Sequence, residues 1–403
     1  MKLLEVVKKE RPTEIFSTMG CRTANGFDVN FLDIYKKNIK SVIENGKLAD
    51  EYYLSGAQKD GRGNICPVTV ILPKIAVESI KYLCKKIENE NQKLILSSFC
   101  GNYGELQTDV IEAFMKLLEQ KINEAKDMLI ERYKHICSQP SNSARFMYEN
   151  NTMYGYVSEE GIQSAIKHGT LAIGQIALAE TLQILIGCNQ TKPEGLELAK
   201  RIEELFQQKC NEFKENYKLN FGVYYTPAEN LCYTAYTKFV GEYGHINGVT
   251  NYWQEEYIDD NGITVKAHWE PRNYFTNSIH VPVWENIDAY EKMDIESQLT
   301  GYSSAGCITY IEFPSTAINN IDSVEDAVIY AMEHDIPYFG VNFPLDRCSE
   351  CGASGDFNGT CPECGSHEIE ELRRVTGYLA TTKKYFNRGK QEETDDRVKH
   401  FSH

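Results

Sequence analysis

The chain has 403 residues, 42% hydrophobic and 25% charged, enough to bury a large core in one domain or several. Its formal net charge of -16 argues against wrapping of nucleic acid, which needs clustered Lys and Arg, but leaves room for a local nucleotide cradle. Residues 1–12 carry charges and no apolar h-region, and the apolar run 171–187 is broken by Gln175, Glu180 and Gln183. Neither a secretory leader nor a membrane span is therefore expected, and the default is a soluble cytoplasmic protein with no direct nucleic-acid or membrane partner.

In chain order, residues 17–23 (STMGCRT) read as a loop, and residues 24–63 are polar and glycine-bearing, with Gly-Arg-Gly at 61–63. Residues 64–71 (NICPVTVI) predict a buried strand rich in β-branched side chains. Helical spacing follows over 74–91 and, most strongly, over 104–137, where Leu106, Val110, Phe114, Leu117, Ile122, Leu129, Tyr133 and Ile136 mark one face. The run 171–187 should be buried, and 195–217 is an amphipathic helix. Short strands are expected at 221–225, 277–283 and 307–313, then a helix over 323–335 with Ser323 as its N-cap. Strands alternating with long helices predict an α/β architecture. From about Pro344 the composition shifts to a loop-like, cysteine-bearing and finally highly charged end.

Thirteen cysteines are present, and nine of them are scattered, as suits reduced thiols used as small core residues. The other four form Cys348-Ser-Glu-Cys351 and Cys361-Pro-Glu-Cys364, with Gly352 and Gly365 just after each pair. Four thiolates at this spacing suit one tetrahedral zinc ion (or iron) with no open position, a structural site. Two disulfides or a redox pair are the alternatives. A nucleic-acid ribbon is opposed by Asp346, Glu350, Asp356 and Glu363.

Nine positions after Cys364 begins Arg373-Arg374-Val375-Thr376-Gly377-Tyr378-Leu379, followed by FNRGKQEE at 386–393 and RVKH at 397–400. A lone glycine there ordinarily means a turn. The whole run, with the cysteine pairs before it, resembles the radical loop of the anaerobic (class III, glycyl-radical) ribonucleotide reductases. Pyruvate formate-lyase and its relatives share the RVxGY core without the adjacent ribbon. The family commonly has Cys where this chain has Thr376 and Gly where it has Ala380. The resemblance implies that Gly377 stores an unpaired electron on its α-carbon, where the flanking amide and carbonyl delocalise it. It also implies a separate activase carrying S-adenosylmethionine and an iron–sulfur cluster.

The loop at 17–23 is similar to that family's finger loop. Gly61-Arg62-Gly63-Asn64, Pro67-Val68-Thr69 and Leu72-Pro73-Lys74-Ile75-Ala76 match as well, with an insertion between Thr23 and Gly61. A buried thiol is ordinarily packing. The resemblance instead makes Cys21 the thiyl that takes the ribose C3′ hydrogen, with Met19 and Thr23 lining the site in the formate-using branch and Asn64 bonding the substrate hydroxyls. Thr226-Pro227-Ala228-Glu229 reads on its own as a capped helix start, with Thr226 at the N-cap. The family places substrate phosphates near such a turn.

The expectation is part of a ten-stranded α/β barrel of the glycyl-radical type with a carboxy-terminal zinc ribbon and radical loop. Its divisions are a catalytic barrel portion at 1–343, a zinc ribbon at 344–369, and the radical loop and tail at 370–403. The implied reaction is reduction of ribonucleoside triphosphates, with formate as reductant. The chain would be one half of a split enzyme whose amino-terminal half is a separate chain, or a truncated product, the complete enzyme being a homodimer. The competing readings are an acyl-transferring glycyl-radical lyase, which would use two adjacent cysteines, and a non-catalytic zinc-ribbon scaffold, which would be expected to lose Gly377 or Cys21.

Overall fold

The computed structural model describes residues 25–35, 43–44, 47–48, 56–57, 61–150, 152–225, 230–259, 262–315, 317, 320–357, 359–375, 378–380 and 385–400. Strand β1 (Asn64–Ile71) runs directly into helix α1 (Leu72–Lys86), where Pro73 fits the first turn because the N–H it lacks would have no helical partner. The single helix expected over 74–91 is two. Asn89 accepts from Asn91 N and Gln92 N and so caps a new helix, α2 (Glu90–Ser97). Helix α3 (Gln107–Cys137) buries Val110, Phe114, Leu118, Ile122, Ala125 and Leu129, a stripe at intervals of three and four that faces the core. Then come β2 (Thr170–Ile176), α4 (Leu178–Ile186), α5 (Pro193–Tyr217), β3 (Asn220–Tyr225) and α6 (Leu231–Tyr243).

β1, β2 and β3 form a parallel sheet in that order, with Asn64, Thr170 and Asn220 in register at one end. One face carries Val70, Leu171, Ile173, Phe221, Val223 and Tyr225, which join Ile80, Phe114, Ile202 and Phe206 from the helices in the main core. The opposite face carries Thr69, Ala172, Gly174, Gly222 and Tyr224. Most of these are small, which leaves room beside the sheet for further chain or a ligand. The segment before the next strand extends the sheet: Ala305 N donates to Val223 O and Tyr225 N to Gly306 O. After α7 (Ala289–Thr300), strand β4 (Thr309–Glu312) pairs in parallel with β5 (Phe339–Asn342), across α8 (Ile321–Glu333). The N-cap of α8 is Asn320 rather than Ser323. Its Oδ1 accepts from Ser323 N at 3.3 Å, so the helix starts two residues early.

The strand expected at 277–283 is absent. The segment is buried, yet its backbone is satisfied by side chains instead of a ladder. Gln190 Nε2 donates to Ile279 O and His280 O, Glu296 Oε1 accepts from Val281 N, and just before the segment Glu180 Oε1 accepts from Thr276 N. The chain ends in an antiparallel sheet in the order β7-β6-β8-β9, from β6 (Leu345–Cys348), β7 (Ser354–Gly355), β8 (Ile369–Val375) and β9 (Tyr378–Ala380). Helix α9 (Arg388–Asp395) closes it. No helix among the described residues is long and apolar enough to cross a membrane.

Candidate functional site

The four cysteines converge. Cys348 ends β6, and the chain turns at Gly352 (φ +75°), whose N–H donates to Cys348 O. The second pair repeats this, with Gly365 at φ +72° and its N–H donating to Cys361 O. Positive φ is why glycine follows each pair. The four sulfurs lie within 4.8 Å of one another, with Cys348–Cys364 at 3.5 Å and Cys351–Cys361 at 3.6 Å. A tetrahedral zinc with bonds of about 2.3 Å sets its sulfurs roughly 3.8 Å apart, whereas a disulfide needs about 2 Å. The donor set therefore fits one zinc ion, and disulfide pairing does not. The backbone N–H of Cys351, directed at the Cys348 sulfur, does most to hold that thiol down at about 6.

Around the cluster, Asp346 is fully buried and accepts from Phe357 N at 2.7 Å and Arg373 Nη1 at 2.6 Å. Strand β8 crosses the expected 369/370 division, so the ribbon shares a sheet with the strand that leads to residue 376. Thr376 and Gly377, which fall between β8 and β9, lie outside the described residues.

The tail after β9 is docked on the rest of the chain. Asn387 caps α9 by accepting from Lys390 N, and its Nδ2 donates to Asn230 Oδ1 at 2.9 Å. Glu392 accepts from Asn273 N and Nδ2, and Tyr274 Oη donates to Asp396 at 2.6 Å. Glu393 pairs with Lys390 and Arg397. Burial pushes its carboxyl up, but these two cations outweigh it and bring it to about 2. Val398 N donates to Val283 O and His400 N to Glu312 O. A polar cavity of ≈ 40 Å³, lined by His280, Lys292, Glu312, Asn342, Glu393 and Arg397 among others, lies between this tail and the β4–β5 pair.

At the other end of the three-stranded sheet, Asn64 opens β1, and its Oδ1 is buried with no hydrogen-bond partner among the described residues. Asn25 sits at this same end. It is 2% exposed, accepts from Thr170 Oγ1 at 2.9 Å and donates to Arg62 O at 3.1 Å. Met19, Cys21 and Thr23, immediately upstream, lie outside the described residues. So do Thr226, Pro227, Ala228 and Glu229. They follow β3, whose last residue, Tyr225, is five positions past Asn220, or roughly 17 Å along the strand from the end that holds Asn64. The helix after them starts at Leu231 with Asn230 at its N-cap position.

The structure thus gathers the cysteine set, and it places Asn64 beside the segment that follows Cys21. Tyr225, the last described residue before position 226, lies at the opposite end of the sheet from Asn64. The sequence reading missed the buried polar set of Asp28, His168 and Asn220 altogether. It noted Gly-Arg-Gly at 61–63 but gave Arg62 no role. These partners are 140 and 192 residues apart, so no local spacing could have linked them.

A family model described as anaerobic ribonucleoside-triphosphate reductase matches residues 2–400. The anaerobic ribonucleoside-triphosphate reductase of Salmonella typhimurium is 29% identical over 359 residues, covering 85% of this chain and 43% of that protein. The enzyme of the same name from Enterobacteria phage T4 is 27% identical over 396 residues, covering 95% of this chain and 53% of that one. The chain spans about half the length of the curated relatives it matches. Among solved structures, an anaerobic ribonucleotide reductase superposes with a TM-score of 0.57 at 18% identity, over 86% of this chain and 46% of the other. The anaerobic ribonucleotide reductase from Thermotoga maritima with glycerol in the active site gives 0.51 at 18% identity, over 83% and 45%. The α/β fold expected from the sequence is the fold of these proteins.

Proposed function

Because this chain belongs to the anaerobic ribonucleoside-triphosphate reductase family, we propose that it carries the radical half of that chemistry, reducing ribonucleoside triphosphates to deoxyribonucleoside triphosphates in the cytoplasm. Gly377, once its α-carbon has lost a hydrogen atom to a radical S-adenosylmethionine activase, takes a hydrogen atom from the Cys21 thiol. The Cys21 thiyl then takes the ribose C3′ hydrogen, and the 2′-hydroxyl leaves as water. Formate gives up two electrons, becomes carbon dioxide, and balances the reduction. Cys21 later returns a hydrogen atom to C3′ and recovers the radical for Gly377.

The observation that carries this reading is the anchoring of Asn25, four residues after Cys21, at the sheet end where Asn64 holds a buried Oδ1 with no partner among the described residues. An unmatched buried acceptor costs about 1–3 kcal/mol unless something donates to it, and a ribose hydroxyl supplies that donor. Met19 and Thr23 would flank the same position. The turn Thr226–Glu229 would bind phosphate beyond the far end of β3 through backbone N–H groups. Cys348, Cys351, Cys361 and Cys364 would hold zinc as a structural ion. The working assembly is a homodimer completed by an amino-terminal portion, in keeping with the half-length match to the relatives.

The test is anaerobic activation with the activase and the completing portion. Gly377→Ala should abolish both the electron paramagnetic resonance signal and turnover. Cys21→Ser should retain the signal and lose turnover. Turnover persisting in Cys21→Ser would remove Cys21 from the mechanism. Turnover without formate would remove formate.

A further inference from the structure

The chain just downstream of Cys21 is fastened to the starts of three strands by a buried polar set. Asp28 Oδ2 accepts from His168 Nδ1 at 2.7 Å, and its Oδ1 accepts from Asn220 Nδ2 at 3.0 Å and Asn30 N at 2.9 Å. Asn220 Oδ1 accepts from Val29 N at 2.8 Å. Arg62 donates through Nε to His168 O at 2.7 Å and through Nη1 to Gly26 O at 2.9 Å. Asn25 bridges Thr170 and Arg62 O, and Asn30 Nδ2 donates to Lys167 O and Lys218 O. Asp28, Arg62 and His168 are each at most 1% exposed.

A set this polar is not the cheapest way to bury a surface segment. Well-packed apolar side chains of similar volume commonly stabilise as well or better. What the polar set supplies is a single register, because these donors and acceptors meet in one alignment and a shift by one residue leaves several buried groups unpaired. Asn25 stands four residues from Cys21, so the sulfur lies within roughly 14 Å of contour from a fixed point.

We propose that Asp28, His168 and Asn220, together with Arg62 and Asn25, act as positioning residues that fix the base of the Cys21 loop and so set where its sulfur meets the ribose hydrogen. This rests on the reading that Cys21 is the hydrogen-atom abstractor. Hydrogen-atom transfer is steep in distance, and a misplacement of about 1 Å costs on the order of 10²-fold in rate. The set therefore controls turnover without touching substrate.

The experiment uses the activated, completed enzyme and compares Asp28→Asn, Asn220→Ala and Cys21→Ser with wild type. It measures glycyl-radical spins per chain, kcat per spin, and KM. Asp28→Asn and Asn220→Ala should keep spin yield and KM within about 2-fold, while kcat per spin falls about 10–100-fold. Asp28→Glu should recover part of that loss. If spins and turnover fall together, so that kcat per spin is unchanged, the set only supports folding and the proposal is wrong. Wild-type kcat per spin in Asn220→Ala overturns it even where Asp28→Asn does not fold. Turnover surviving in Cys21→Ser would instead sink the parent reading, an outcome visible separately from the other two.

Discussion

The Asp346 carboxylate accepts from the Arg373 guanidinium at 2.6 Å inside the β6–β8 ladder. Asp346 belongs to the first strand of the cysteine ribbon, and Arg373 to the strand that ends two residues before Gly377. One ion pair therefore couples the cysteine ribbon to the strand that leads to Gly377.

Arg373→Ala leaves a fully buried carboxylate with Phe357 N as its one remaining hydrogen-bond donor among those described above. Removing one partner of a buried pair costs about 3–5 kcal/mol. The ribbon should loosen, and zinc transfer to a chromophoric chelator should quicken at least about 10-fold. An unchanged release rate would show that the pair does not support the ribbon.

Metal content should be one zinc per chain. Cys361→Ser, which removes a buried sulfur, should lower it well below that, as should the same change at Cys348. Stripping the metal should expose 345–375 to limited proteolysis, because a bound ion would cross-link the two cysteine turns. Full resistance to protease after stripping would mean that the sheet holds without metal.

Gly389 sits where the tail helix meets the barrel portion. A Cβ there would come within 2.5 Å of Asn273 O and 2.9 Å of Tyr233 Cβ. Gly389→Ala should weaken tail docking by about 1–3 kcal/mol, the usual cost of overpacking. Protease cleavage at 385–400 should rise, with the overall fold intact by circular dichroism. An unaltered cleavage pattern would mean that the tail shifts to accommodate the methyl.

Glu203 is buried between α5 and the sheet, where burial pushes its carboxyl up to about 8 despite hydrogen bonds from Gln175 and Tyr225. The unfolded chain releases this proton near the ordinary 4.5, and the folded chain releases it near 8. The folded state thus binds more protons between those values. Its contribution is complete below about pH 4.5 and is lost as pH rises to and through about 8, a change of a few kcal/mol (roughly 3–5). Urea melts at pH 5 and pH 9 should show most of this loss in wild type, and Glu203→Gln should remove it. Equal pH dependence in the two proteins would place the titration elsewhere.

Local chemistry was enough to read much of this chain from its sequence. The pairs Cys348/Cys351 and Cys361/Cys364 declare their geometry because two sulfurs on one tight turn can only converge. Residues 64–71 declare a strand by their β-branched side chains, and 104–137 a helix by its apolar period. Tertiary structure decided what depends on partners far along the chain. Residues 277–283 look like a strand, yet the side chains of Gln190 and Glu296 take up backbone groups at 279–281. Asp28, His168 and Asn220 look ordinary until the parallel sheet brings the starts of β2 and β3 together. A hydrogen bond between residues more than a hundred positions apart leaves no periodic trace in a sequence; only folding shows which donor meets which acceptor.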